Sequence, residues 1–414
     1  MNKEKSVVVN GRNYRWPNQP LVVVCIDGSE PSYIEQAIAS GHMPFLSKAL
    51  KIGADLRADC VIPSFTNPNN VSIVTGVPPV IHGISGNYFL DSESGNEVMM
   101  NDPKFLKTKT IFQEFHDVGA KIVIVTAKDK LRRLLGNGLD FRSGRAICFS
   151  SEKADETTIE ENGINNAQSI VGRPIPDVYS AELSEFIFDA GVKLMDKYRP
   201  DIMYLSTTDY IQHKHSPGTP VANEFYSMMD KYWHQLDSMG ATLALTADHG
   251  MNAKFGKDGA PDVIYLQSVL DDWLGVGEAQ VILPITDPYV VHHGALGSFA
   301  TAYLPGDADV AEIIARLYSV DGIDAAYNRE EGCEKFELPE ERLGDIIVVS
   351  SINKVIGTSA ERHDLTQLKE PLRSHGGVTE QCVPLIVTKP ITNPEPKQRL
   401  RNFDVFDIAL NHSV

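Results

Sequence analysis

Residues 21–26, LVVVCI, form an unbroken apolar run rich in β-branched side chains, and the run stops at Asp27. Such a run lacks the alternation of a half-exposed strand and suits a strand buried on both faces of a parallel sheet. The same pattern recurs at 121–126 (KIVIVT), 201–207 (DIMYLST), 241–246 (ATLALT) and 383–388 (VPLIVT), and each of the first four runs gives way within a few residues to a polar cluster. Between them the period changes. In 180–198, Phe186, Ile187, Ala190, Leu194 and Met195 fall on one helical face, with Ser180 in position to cap the helix. In 221–239, Val221, Phe225, Met228, Tyr232, Leu236 and Met239 also recur at helical spacing, a methionine and aromatic stripe that reads as core packing rather than a cofactor site. Strands alternating with helices predict an α/β fold with a mainly parallel central sheet flanked by helices.

Two stretches break this rhythm. Residues 150–178 are polar and weakly periodic, which predicts a long excursion over the surface. Residues 256–370 place strand-like AQVILPI, SFATAYL and DIIVVSS around helix-like DVAEIIARLYSV. That order predicts a smaller inserted α+β cap domain at 256–370, with the core formed by 1–255 and 371–414. No internal repeat or low-complexity tract interrupts the 414 residues.

Composition narrows the function. With 42% hydrophobic and 22% charged residues and no apolar run near the roughly 20 residues that span a bilayer, a membrane span is not expected. The first residues, MNKEKSVVVNGRNYRWPNQP, lack the sustained apolar segment of a secretory signal, so a cytoplasmic protein is expected. Cys25, Cys60, Cys148, Cys333 and Cys382 are odd in number and never paired as C-x-x-C, which predicts buried free thiols rather than disulfides or a thiolate metal site. A formal charge of −17 disfavours nucleic acid as a partner, because phosphate-backbone binding needs clustered lysine and arginine. An anionic substrate would need local positive charge from metal ions or a few lysines.

In open parallel sheets, ligands bind beyond the carboxyl ends of the strands. Asp27 ends the first run in CIDGSE, Asp209 follows another in LSTTDYIQHKH, and Asp248 and His249 follow a third in LTADHGM. These side chains are therefore expected at one sheet edge. Asp209 and His213 are four apart, which on a helix brings both to one ion, whereas His215 points elsewhere. His375 sits beside paired glycines in LRSHGGV, where backbone can pass close to a crowded site. A single histidine of this kind is usually an ordinary hydrogen-bonded one, but several segments sharing the strand-end placement favour metal. Aspartate and histidine without thiolate suit zinc or manganese, zinc the better of the two, and two such sets fit a bimetal centre for phosphoryl transfer. Thr66, in PSFTNPNNVSIVTG, stands at the start of a probable helix. Alone it reads as a cap; beside a dication, which lowers the pKa of a coordinated hydroxyl, it reads as a nucleophile with free N–H groups at hand for a phosphoryl oxygen.

The ordered set DG, SFTNPNNVSIVTGVPPVIHGISGNYF, TTDYIQH, ADHGM and HGG resembles the alkaline phosphatase superfamily in its nucleotide pyrophosphatase/phosphodiesterase-like branch, and within that branch the phosphonoacetate hydrolases. The resemblance covers nearly the whole chain. It implies an alkaline phosphatase-like core and two zinc ions, one held by Asp209, His213 and His375, the other by Asp27, Thr66, Asp248 and His249. Thr66 would be the nucleophile and Asn87 a donor to a phosphoryl oxygen, with His213 and His375 also touching substrate. It further implies that Lys128 and Lys130, in IVTAKDKLRRLL, bind the carboxylate and phosphonate of phosphonoacetate, whereas without it they would read as solvated charge. Arg132 and Arg133 add positive field without a specific role. His292 and His293 read as non-ligands, because the two metal shells are already filled. The expected reaction is hydrolysis of the carbon–phosphorus bond through a phosphothreonine. The alternative is a nucleotide pyrophosphatase or phosphodiesterase using the same metals, with Phe65 and Tyr88 available to stack on a nucleobase. A catalytically silent metal-binding scaffold is disfavoured by the intact motif set. A homodimer is expected on general grounds.

Overall fold

The computed structural model describes residues 5–286, 294–368, 370–392 and 399–414. Seven strands make the central sheet: β1 (Leu21–Cys25), β2 (Ala54–Asp59), β3 (Ile122–Thr126), β4 (Ala146–Ser150), β5 (Ile202–Ser206), β6 (Thr242–Thr246) and β7 (Cys382–Val387), in the spatial order β2-β7-β6-β1-β5-β3-β4. Neighbours from β6 through β1, β5 and β3 to β4 run parallel, while β7 is antiparallel to both β6 and β2. The apolar runs explain this arrangement. Every residue of β1, β3, β4, β5 and β6 is buried, and edge strand β2, ADLRAD, alternates instead.

The side-chain alternation of β1 divides its residues between two cores. Val22 and Val24 join the layer that includes Phe186, Ile187 and Trp233, while Leu21, Val23 and Cys25 join one containing Phe112, Tyr204 and Phe406. The helices that carry the site or cover the sheet include α1 (Thr66–Thr75), α2 (Asp129–Leu135), α3 (Glu182–Tyr198), α4 (Tyr210–Lys214) and α5 (Pro220–Ser238).

The structure corrects several details of the sequence reading. Ser180 does not cap α3; its hydroxyl donates to the Asp177 carbonyl, closing the preceding turn, and the helix starts one residue after Ala181. The buried stripe of α5 comprises Ala222, Phe225, Tyr226, Met229, Trp233 and Leu236, and Val221 is exposed, because burying the large rings of Tyr226 and Trp233 turns the helix by about one residue. Residues 150–178 are not a bare excursion: the short helices Ile159–Asn162 and Ala167–Val171 place Ile164, Ala167 and Val171 in the core, and Asn162 Nδ2 donates to the Cys148 carbonyl. Four of the free cysteines are buried, but Cys382, the first residue of β7, is exposed.

A second, antiparallel sheet of four strands, in the order Gln280–Ile282, Phe299–Tyr303, Ile346–Ser350 and Ile323–Asn328, packs with helices Leu266–Leu274, Val310–Leu317 and Arg329–Phe336 around its own apolar cluster. Ile62 and Phe65, from the segment entering α1, belong to that cluster. His292 and His293 lie outside the described residues. Among the described residues no helix is long and apolar enough to cross a membrane.

Trp233 is fully buried. Trp233→Ala is expected to destabilise the fold by about 3–5 kcal/mol, and Val221→Ala by less than about 0.5 kcal/mol. Urea midpoints read both changes, and equal shifts would contradict the orientation of α5.

Candidate active site and metal centre

The carboxyl ends of β1, β5, β6 and β3 are adjacent in the sheet, and each is followed directly by residues with chemistry to offer: Asp27, then Asp209, then Asp248 with His249, then Lys128 with Lys130. Asp209 is the residue before α4, so His213 stands one helical turn on, with Nε2 at 2.8 Å from Asp209 Oδ2. His375 arrives from the return to β7, with Nε2 3.9 Å from the same oxygen. Ligand-type atoms of Asp209, His213 and His375 lie within 4.8 Å of one another, and so do those of Asp27, Asp248 and His249. In the second set His249 Nε2 is 3.3 Å from Asp27 Oδ1 and 3.7 Å from Asp248 Oδ2. The rings of His249 and His375 stack at 3.6 Å between centroids, 8° from parallel, so the two sets abut.

The hydrogen bonds around these groups fit metal ligation. His213 Nδ1 lies 2.7 Å from the Arg373 carbonyl, His249 Nδ1 2.9 Å from that of Gly250, and His375 Nδ1 2.7 Å from that of Ser64. A carbonyl only accepts, so each Nδ1 carries a proton, which leaves Nε2 as the ring atom turned toward the site and the one a metal ion would take. Asp27 Oδ1 and His249 Nε2 are buried and accept or donate no hydrogen bond among the described residues. Asp248 Oδ1 accepts from the backbone N–H groups of Gly28 and His249, and Oδ2 from Asn70 Nδ2. Asn70 Oδ1 in turn accepts from the Tyr204 and Ser206 hydroxyls, and Asn70 Nδ2 also donates to the Thr66 carbonyl.

The charges are unsettled without a cation. Burial raises the pKa of Asp27 well above the carboxylate range, the negative charges of Asp209 and Asp248 raise it further, and Lys128 opposes them. Burial also raises Asp248, with His249 opposing. His375 is pushed well down, first by burial and then by His249 and His213. Carboxyl groups that resist losing a proton beside an imidazole, His375, that resists gaining one are what a dication relieves, since it attracts the anions without protonating the ring.

Thr66 lines the cavity beside these groups, together with Asp27, Asn87, Lys128, Asp209 and His375. It is the first residue of α1, with Phe65 as the cap residue, so its hydroxyl is not the helix cap. Instead the turn is tied by Asn69, whose amide donates to the Val61, Pro63 and Phe65 carbonyls and accepts from Val61 N–H. Asn87 Oδ1 accepts from Asn67 N–H at 3.0 Å, which leaves its NH₂ as the donor for the cavity. Lys130 shares the lining, and its pKa falls to about 7, chiefly through burial and then through Lys128. Arg132 is engaged with Asp129 at 2.6 Å.

The sequence reading did not single out Asn70, Asn67, Thr207, Thr208, Leu131 or Ile285, of which all but Asn70 line the cavity. Thr207 and Thr208 directly precede Asp209, and Thr207 Oγ1 accepts from Asp27 N–H. Proximity to a predicted ligand was the available signal. Asn70, buried in mid-helix one turn after Thr66, offered the mismatch of an amide in an apolar stretch. Phe65 is fully buried, with its ring edge-on to His375 at 5.5 Å between centroids, and neither Phe65 nor Tyr88 lines the cavity.

Asn70→Ala removes a donor to Asp248, and with Zn²⁺ as the probe ion it is expected to weaken metal affinity about 10- to 100-fold. Competition against a colorimetric chelator measures this, and unchanged affinity would remove Asn70 from the metal centre.

Residues 21–377 match the family described as Type I phosphodiesterase / nucleotide pyrophosphatase. The structure is similar to that of phosphonoacetate hydrolase from Sinorhizobium meliloti 1021 in complex with phosphonoformate, with 60% sequence identity, 100% of both chains covered and a TM-score of 0.96. The Sinorhizobium enzyme in complex with phosphonoacetate gives 59% identity over 100% of both chains, again with a TM-score of 0.96. Ectonucleotide pyrophosphatase/phosphodiesterase family member 1 of Rattus norvegicus is 26% identical over 276 residues, which are 61% of this chain and 26% of the rat protein. The match thus spans about a quarter of that longer relative.

Proposed function

This chain belongs to the type I phosphodiesterase / nucleotide pyrophosphatase family, and we propose that within it the protein is an enzyme that hydrolyses the carbon–phosphorus bond of phosphonoacetate to acetate and phosphate. The observation that carries this reading is the presence of Lys128 and Lys130 in one cavity with Thr66, Asn87 and members of both metal-capable sets. In the proposed enzyme Asp209, His213 and His375 hold one zinc ion, while Asp27, Asp248, His249 and Thr66 hold the other. Bound there, the ions supply Lewis acidity, which lowers the pKa of a coordinated hydroxyl and attracts phosphoryl oxygens.

The chain's own groups account for the rest. Asn87 NH₂ donates to a phosphoryl oxygen, His213 and His375 border the same group, and the Thr66 oxygen attacks phosphorus after losing its proton. As the new P–O bond forms, the P–C bond breaks, and its electron pair passes to the methylene carbon and onto the carboxylate oxygens. The result is a dianion of enediolate character. Lys128 and Lys130 meet charge that develops only as the bond breaks, which is where stabilisation accelerates the reaction. A proton from solvent then gives acetate, and water cleaves the phosphothreonine, releasing phosphate and restoring Thr66.

A phosphodiesterase, with an alkoxide leaving group, has no such need for two ammonium groups. The described lining of the inner cavity itself offers no tyrosine, phenylalanine or tryptophan on which a nucleobase could stack; an adjoining wall carries Tyr179. The proposal extends to a cytoplasmic enzyme, a possible homodimer, and a division into a catalytic core of 1–255 and 371–414 with an inserted cap of 256–370. The division is supported by the separate apolar cluster around the second sheet.

Phosphorus NMR of zinc-loaded protein with phosphonoacetate is expected to show the phosphonate signal replaced by inorganic phosphate, and an EDTA-treated sample to show no change. An inert phosphonate in protein with two verified zinc ions would instead favour a phosphoester substrate. Thr66→Ala is expected to lower turnover by at least about a thousandfold while retaining metal, and Lys128→Ala to lower kcat about 100-fold or more. Near-normal turnover by Thr66→Ala would end the covalent scheme.

A further inference from the structure

An enzyme of formal charge −17 repels an anionic substrate at long range, so capture needs a local field of opposite sign. A second pocket adjoins the catalytic cavity. Lys128 and Lys130 line both, and the outer one is bounded further by Arg133, Lys153, Asn101 and Tyr179. Its free space, open to solvent, is about 1100 Å³.

The acids in its wall are already engaged. Asp129 Oδ1 takes Arg132 Nε at 2.6 Å, and Glu152 Oε2 accepts the backbone N–H of Asp129. Two of its cations, Arg133 and Lys153, are less committed. Arg133 is exposed and forms no ion pair among the described residues, while Lys153 stands 3.5 Å from Glu156 with both side chains largely in water, where such a pair contributes little. Lys128, Arg133 and Lys153, with Lys130 charged in part, line one opening with Asp129 and Glu152, and Arg132 offsets Asp129, so the local balance is positive on a strongly negative protein.

We infer that this outer pocket is an anion-collecting vestibule, in which Arg133 and Lys153 draw the substrate toward Lys128 and Lys130. The inference rests on the proposed anionic substrate but goes beyond it, since neither residue lines the catalytic cavity. Arg133 and Lys153 act on encounter and affinity, not on bond breaking. Their effect therefore falls on kcat/KM, fades with salt, and leaves kcat nearly unchanged.

The test compares the zinc-loaded full-length protein with Arg133→Gln, Lys153→Gln and the double variant. Lys121→Gln is the control; it makes the same change in net charge as either single variant, at the opposite end of β3. At low ionic strength the double variant is expected to lose about 3- to 10-fold in kcat/KM for phosphonoacetate with kcat within about twofold. The difference should close at high salt, and Lys121→Gln should behave as the parent. Calorimetric titration with inorganic phosphate gives a readout independent of turnover, with the double variant expected to bind about threefold or more weakly at low salt. A parent that does not cleave phosphonoacetate but shows this phosphate difference would refute the substrate and keep the vestibule. Parent-like kcat/KM and phosphate affinity in the double variant, an equal loss in Lys121→Gln, or a loss in kcat that salt does not alter would overturn the vestibule.

Discussion

Asp27, Asp209 and Asp248 are three carboxyl groups withdrawn from water into one small volume, and as carboxylates they are tolerable together only with a compensating positive charge. His375, whose pKa is pushed well down by burial and then by His249 and His213, resists taking up a proton to supply it. A lysine in their midst would occupy the space a reacting group needs. Divalent ions would answer the requirement, and the carbonyls of Ser64, Gly250 and Arg373, each accepting from an Nδ1, leave Nε2 as the nitrogen such ions would meet.

The same constraint explains why the surroundings are so heavily tied. Helix α1 is buried at every position after Thr66, which is unusual for ten residues containing three asparagines, and the asparagines are spent on fixing the turn, the Asp248 carboxylate and the carbonyl of Thr66 itself. Phe65 anchors the segment in the cluster of the second sheet and touches His375 with its ring edge. Behind His375, the buried pair Lys254 and Glu380 connects the Ile352 carbonyl to the N–H of Gly377. Thr66 and the two metal-capable sets are held by neighbours from both sheets, so the distances among them are a property of the whole fold.

This division between what is held and what holds it also explains what could be read from the chain. Asp27, Asp209 and Asp248 were legible because each follows an apolar strand with no other reason to end in a carboxylate. Strands β2 and β4 were not, since ADLRAD is charged at alternate positions and AICFS merges into a polar stretch. The antiparallel course of β7 leaves no mark on its composition, because a doubly covered strand reads the same in either direction. Asn70 escaped because its partners, Tyr204, Ser206 and Asp248, are more than a hundred residues away, and a hydrogen bond at that distance has no periodicity. Val221 shows the limit of the helical pattern, which identifies a stripe but cannot choose between adjacent faces when large rings compete for the interior.

The stacked rings of His249 and His375 join parts of the chain that a ribosome makes at different times. Asp27, Thr66, Asp248 and His249 exist together once residue 249 has been added, whereas the set built on Asp209 and His213 waits for His375, whose bond to Ser64 spans 311 residues. Between those moments lies the whole second sheet. In a chain emerging from its amino terminus, one metal-capable set is therefore complete long before the other, and the loop bearing His375 can close the site only after 256–370 has been synthesised. The order of synthesis makes the paired site a late event, and no amino-terminal fragment that stops short of His375, however well folded, contains both metal-capable sets.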